Sequence, residues 1–190
     1  SKNTELTELE CSSNGLTELK LNLNSSIEFL GCDDNQLTEL DVINCPALKY
    51  LSCNENQLNE LDISKNMVLT NLRCSWNNLT QLKLNSPALE ILYCYNNQIT
   101  EIDVSNCTKL IVLHCSGNQL NELNISKNTA LTSLECSSNN LTELKLNLNS
   151  SIEFLGCYYN QLTELDVSNC TALKDFRCNG NKLNELNISK

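Results

Sequence analysis

The chain has 190 residues, with 23 Asp and Glu against 13 Lys and Arg, and its net charge of −10 argues against a nucleic acid partner. Hydrophobic residues make up 41% of it but never run long enough to form a membrane-spanning helix, so insertion of that kind is not expected. One histidine, His114, with no Gly-rich phosphate loop or nucleophile motif, leaves almost nothing for acid, base or nucleophile, so neither catalysis nor a cofactor is expected.

From Leu6 onward the chain repeats one short unit. Cys11, Cys32, Cys53, Cys74, Cys94, Cys115, Cys136, Cys157 and Cys178 recur every 21 residues, with one step of 20. Each is followed three places later by an asparagine, from Asn14 and Asn35 to Asn160 and Asn181. Around each cysteine the pattern is L-x-x-L-x-C-x-x-N-x-L-x-x-L, as in Leu48, Leu51, Cys53, Asn56, Leu58 and Leu61. Alternation around Leu30 and Cys32 predicts a strand with one buried face. The asparagine then turns the chain, its amide suited to pairing backbone groups of the turn and of the neighbouring coil. A second alternating stretch, such as Leu37, Leu40 and Val42, predicts a return wall. One coil cannot bury its apolar face alone, so the prediction is a solenoid of nine stacked coils: a parallel concave sheet, a second short extended wall, and little or no α-helix.

The outward places of the predicted strands differ from coil to coil. Coil one carries Glu8 and Glu10, coil two Phe29 beside Asp33 and Asp34, and coil three Tyr50. Coil four brings Arg73 and Trp76, coil five Ile91, Tyr93 and Tyr95, and coil six Val112 and His114. Coil seven has only small and acidic residues there, and coil eight has Phe154, Tyr158 and Tyr159. In coil nine Phe176 replaces a core leucine. Every other aromatic therefore falls on one exposed face, where folding alone would not put scarce large rings. Tyr, Trp and Arg also dominate binding hot spots, because they offer rigid area with a polar handle. The expected site is a protein- or peptide-binding patch of Tyr50, Arg73, Trp76, Ile91, Tyr93, Tyr95, Val112 and His114, with Phe29 to one side and Phe154, Tyr158 and Tyr159 to the other. Two other uses stay open: cross-strand ladders that only stiffen the sheet, and stacking of sugar rings. Ile91 and Val112 favour a protein over a sugar.

The repeat resembles the leucine-rich repeat family, whose unit has a leucine where this chain carries cysteine. Cysteine at that place is similar to bacterial cell-surface members. The resemblance implies a non-catalytic binding module, secreted or on the surface of a bacterium, and a fragment of a longer protein. A structural or self-associating element is the alternative, and carbohydrate adhesion a third.

A longer period lies over the short one. The last apolar place of the return stretch cycles Leu21, Val42, Ile63, Leu84, Val104, Ile125, Leu146, Val167, Ile188, so residues 1–190 read as one domain of three blocks of three coils. Cys45, Cys107 and Cys170 share an inward turn place with Asn24, Asn66, Asn128 and Asn149. With no C-x-x-C and parallel side chains, the twelve cysteines read as buried thiols, without disulfides or metal. Glu18, Glu39, Glu60, Glu101, Glu122, Glu143, Glu164 and Glu185 form an acidic column on the return wall, broken only by Gln81 and read as a solvated face. Asn24, Asn78 and Asn140 lie in glycosylation-type triplets that read as by-products of the consensus. A homo-oligomer built end to end or through the concave face is also expected, since coil nine closes a block and coil one opens one.

Overall fold

A computed structural model describes residues 3, 5–21, 26–146, 151–186 and 188. Among the described residues eleven strands of three residues form: β1 (Glu8–Glu10), β2 (Phe29–Gly31), β3 (Tyr50–Ser52), β4 (Glu60–Asp62), β5 (Asn71–Arg73), β6 (Gln81–Lys83), β7 (Ile91–Tyr93), β8 (Val112–His114), β9 (Ser133–Glu135), β10 (Phe154–Gly156) and β11 (Asp175–Arg177). Nine of them make one parallel sheet in the order β1-β2-β3-β5-β7-β8-β9-β10-β11. Register is set by the repeat itself: Leu30 pairs with Leu51, Leu51 with Leu72, and Leu72 with Leu92, so the one-residue deletion before coil five leaves the sheet in step. The expected nine-coil solenoid is what the chain adopts, without helix among the described residues.

The core is a set of parallel rows. Leu30, Leu51, Leu72, Leu92, Leu113, Leu134 and Leu155 line one wall, with Leu40, Val42, Leu61, Ile63, Leu82 and Val104 facing them from the return side. Between them the thiols of Cys32, Cys53, Cys74, Cys94, Cys115, Cys136 and Cys157 are buried, while Cys11 and Cys178 in the end coils are half-buried. Each thiol points along the stack rather than at its neighbour: Cys32 Sγ donates to Ser52 O at 3.4 Å and Cys53 Sγ to Arg73 O at 3.5 Å, both in the next coil. All twelve cysteines stand outside any disulfide. Burial, reinforced by neighbouring thiols, drives the Cys53 and Cys74 pKa values well up, and burial alone pushes Cys94 up to about 12.

The asparagines tie each coil to the one before. Asn56 Nδ2 donates to Cys32 O at 2.9 Å, one coil earlier, and to Cys53 O at 3.3 Å in its own coil, while its Oδ1 accepts from Leu37 N at 3.0 Å. The same set recurs at Asn97, Asn118, Asn139 and Asn160. A buried amide can hold this position because nearly all its hydrogen-bonding capacity is used. In the second turn Asn66 donates to Val42 O and Cys45 O, both at 2.9 Å, and Cys45, Cys107 and Cys170 are buried as expected. Asn24 and Asn149 lie outside the described residues.

The return wall is less regular. Among the described residues only β4 and β6 pair there, with one isolated bridge between Asn124 and Lys145. Its acidic column is offset by short ion pairs, Lys20 to Glu18 at 2.7 Å and Lys145 to Glu143 at 3.1 Å. Lys83 turns instead to Asp62, 3.8 Å away in the preceding coil, because its own coil has Gln81 in the acidic place. All are exposed pairs and contribute little to stability.

Candidate functional site

The concave face is built in columns, because parallel strands in register stack equivalent residues about 4.8 Å apart. Expected site residues occupy four of these columns. They form a strip along the strand starts and ends, and a rim beyond the strand ends.

On the strip Phe29 and Tyr50 stack face to face, with centroids 4.6 Å apart and planes 7° from parallel. Asn71 separates this pair from Ile91, which is register partner to Val112. A second group runs along the last residues of the strands. The Arg73 guanidinium lies 5.1 Å from the Tyr93 centroid, and the Tyr93 ring meets His114 edge-on at 4.9 Å. His114 lies 6.5 Å from Phe154 across the small Ser133, and Arg177 caps the far side of Phe154 at 5.3 Å. Ring against ring in this way is the ladder arrangement considered above, and each contact adds roughly 0.5–1.5 kcal/mol. The rings stay half-buried, so one side of each faces outward.

The two arginines differ in their partners. Arg177 forks onto Asp175 through Nε at 3.1 Å and Nη2 at 2.8 Å. Arg73 stands in the same column with Asn71 in place of the aspartate; it forms no ion pair among the described residues, and its Nε is buried without a hydrogen-bond partner. Burial lowers the His114 pKa below its ordinary 6.5, against the opposing pull of Glu135, while Nε2 rests 3.1 Å from Ser133 Oγ. His114 is therefore neutral at pH 7.

The rim holds the remaining aromatics in two pairs. Trp76 meets Tyr95 edge-on at 6.5 Å, and Tyr158 meets Tyr159 edge-on at 5.6 Å. The outer column of the rim has a left-handed backbone in every coil: Ser13, Asp34, Glu55, Trp76, Asn96, Gly117, Ser138, Tyr159 and Gly180 all have φ between 51° and 70°. Glycine, asparagine and aspartate suit that geometry, whereas a bulky side chain there costs roughly 1–2 kcal/mol. Trp76 and Tyr159 bear this penalty while remaining 55% and 62% exposed, so burial does not offset it. The amino-acid order alone did not reveal this column, although the recurrence of Ser, Asp, Asn and Gly just before each asparagine was a usable sign of it.

Duplication supplies an internal control. Residues 5–65 align with 130–190 without a gap, and six of the twelve outward concave places differ, against seven of the other forty-nine. The six are Glu8/Ser133, Asp33/Tyr158, Asp34/Tyr159, Tyr50/Asp175, Ser52/Arg177 and Glu55/Gly180. Change is thus concentrated on the concave face, while its supporting frame has stayed the same. Coil two places Asp33 where coil eight has Tyr158, and Asp33 accepts from Ser52 Oγ and from the Asn54 amide, so either residue is compatible with the coil.

The family model for leucine-rich repeats (2 copies) matches residues 87–128. Among solved structures the chain is similar to the functional domain of InlJ from Listeria monocytogenes, described as including a cysteine ladder. The two are 43% identical with a TM-score of 0.92, over 97% of this chain and 42% of that one. A leucine-rich repeat protein of Leptospira interrogans matches at 24% identity and TM-score 0.84, over 95% of this chain and 50% of that one, a likeness of fold. YopM from Yersinia enterocolitica matches at 27% identity and TM-score 0.80, over 94% of this chain and 38% of that one. The chain thus spans half or less of the length of each of these proteins. No curated protein sequence matches it.

Proposed function

Because the chain belongs to the leucine-rich repeat family, in a form found in bacterial proteins and commonly used for protein interaction, we propose that it is a non-catalytic protein-binding module whose contact surface is the concave strip. The anchors in this reading are Tyr93 and His114 at the centre, Ile91 and Val112 beside them, and Tyr50 and Phe29 at one end. Arg73, without a carboxylate of its own, would accept one from the partner.

The observation that carries the reading is the distribution of change between the duplicated coils. A face kept only for folding would be copied as faithfully as the core, and this one was not. A secreted or surface location on a bacterium goes with the reading, by family resemblance and by the likeness to InlJ and YopM.

The test is affinity capture from bacterial and host surface extracts with three baits in parallel: the wild-type domain, Tyr93→Ala and Glu60→Gln. A partner retained by wild type and Glu60→Gln but lost by Tyr93→Ala supports the strip. Retention by Tyr93→Ala with loss by Glu60→Gln moves the site to the return wall.

A further inference from the structure

The rim contains a groove that meets the protein-binding strip at His114, one of its lining residues. It opens across coils five to eight, with Tyr95 as one wall and Tyr158 as the other, and Ser116 and Gly117 in its floor. The walls occupy equivalent places in successive three-coil blocks, so their strands lie about 14 Å apart, three parallel-strand spacings. The floor is low because coils six and seven carry only small residues in these columns. At Gly117, with φ +63°, a Cβ would meet Asn96 Oδ1, so a larger residue would have to displace the Asn96 side chain.

Its chemistry is that of flat rings with unpaired polar groups. The Asn96 side-chain amide and the hydroxyls of Tyr95 and Tyr158 make no hydrogen bond among the described residues. Glu135 is held from one side only: its Oε1 accepts from Ser116 Oγ at 3.1 Å, from Ser137 N at 3.2 Å and from Ser137 Oγ, and Oε2 has no hydrogen bond among the described residues. No Leu, Ile, Val or Met lines the groove among the described residues. An apolar peptide anchor would find no pocket here, and the Glu135 carboxylate disfavours an anion.

We propose that this groove is a second binding site, for a short neutral oligosaccharide. Sugar rings present C–H faces to the Tyr95 and Tyr158 rings, and their hydroxyls reach the Glu135 carboxylate and the Asn96 amide. A carboxylate is a strong acceptor for hydroxyl donors, and a few fixed polar groups between apolar walls orient such a ligand. Tyr158 is not there to hold the fold, since the duplicated coil two folds with Asp33 in its place and an otherwise unchanged strand. The groove shares only His114 with the strip anchors, so a Tyr158 variant tests the groove and a Phe29 variant the strip, and either reading can fail without the other.

The single tryptophan reports on it, because Trp76 lies 6.5 Å from the Tyr95 ring. The folded domain is titrated with cellotriose, maltotriose and chitotriose, followed by tryptophan fluorescence and calorimetry. At least one should bind saturably, and Tyr158→Asp should weaken it by about tenfold or more at unchanged melting temperature. Should that variant not fold, Tyr158→Ser, the residue coil seven carries in that column, takes its place. Phe29→Ala, on the strip, should bind the sugar as wild type does. The proposal is overturned if none of the three sugars binds saturably, or if the Tyr158 variant binds like wild type. Binding of a proline-rich decapeptide in place of all three sugars, lost in the Tyr158 variant, would likewise overturn it in favour of a peptide groove.

Discussion

Arg73 and Tyr93 sit one coil apart, the guanidinium 5.1 Å from the ring centroid, and this pair joins the aromatic line to the one concave cation without a carboxylate among the described residues. Rigid rings and an unpaired cation side by side form a surface that loses little entropy on binding, which is the usual basis of a hot spot.

Tyr93→Ala should weaken partner binding by about 1–3 kcal/mol. Its ring is only half-buried, so the melting temperature should fall little. Substitution of Glu60 or Glu122 on the return wall should change affinity far less. Calorimetry on the captured partner decides, and equal losses from both walls would remove the concave site.

Trp76→Asn tests the left-handed rim. Asn96 already occupies this place in coil five at φ 54°, so the change relieves roughly 1–2 kcal/mol of backbone penalty. It removes one edge-on contact with Tyr95, a loss of about 0.5–1.5 kcal/mol. Thermal unfolding should therefore show unchanged or slightly raised stability, and a drop of many degrees would mean that Trp76 supports the fold.

The asparagine ladder should be the most sensitive part of the frame. Asn97 donates to Cys74 O at 3.0 Å and Cys94 O at 3.1 Å and accepts from Leu79 N at 3.0 Å, all in buried surroundings. Asn97→Ala orphans the buried Leu79 amide, at about 1–3 kcal/mol, and strips one bond each from Cys74 O and Cys94 O, which keep those from Asn77 and Asn118. Urea denaturation should show a loss of at least about 2 kcal/mol.

Thiol reagents under native conditions should label Cys11 and Cys178 first and the central cysteines very slowly. The end thiols are half-buried, whereas burial pushes Cys94 up to about 12 and leaves almost no thiolate at neutral pH. Cys94→Ser should destabilise the domain by roughly 1–3 kcal/mol, because it buries a hydroxyl in an apolar row. Rapid labelling of most thiols in the folded protein would contradict the buried ladder.

His114 implies a pH dependence with a definite sign. Its folded pKa is lowered below 6.5 by burial, so the unfolded chain takes up the proton first as pH falls. The stability contributed by neutral His114 is complete above about 6.5 and is lost as pH drops below that value toward the depressed folded pKa. Denaturation midpoints measured from pH 7.5 to 5 should fall for wild type and fall less for His114→Asn. Identical slopes would mean that the ring is solvated.

The repeat alone determined the solenoid, the inward cysteines, the turn asparagines and the face that carries the aromatics. Each of these follows from local periodicity: a 21-residue unit with two alternating stretches has one way to bury its leucines, and stacking identical units keeps them in register. Tertiary structure decided how the exposed residues are grouped. Phe29 stacks on Tyr50 while Arg73, Tyr93, His114 and Phe154 join through coils four, five, six and eight, because ring contacts depend on rotamers and on small neighbours such as Ser133. Trp76, Tyr95, Tyr158 and Tyr159 part from the strip because the chain leaves the strand at each cysteine and turns left-handed two residues later. That turn is a backbone property shared by nine different residues, so no single residue type announces it.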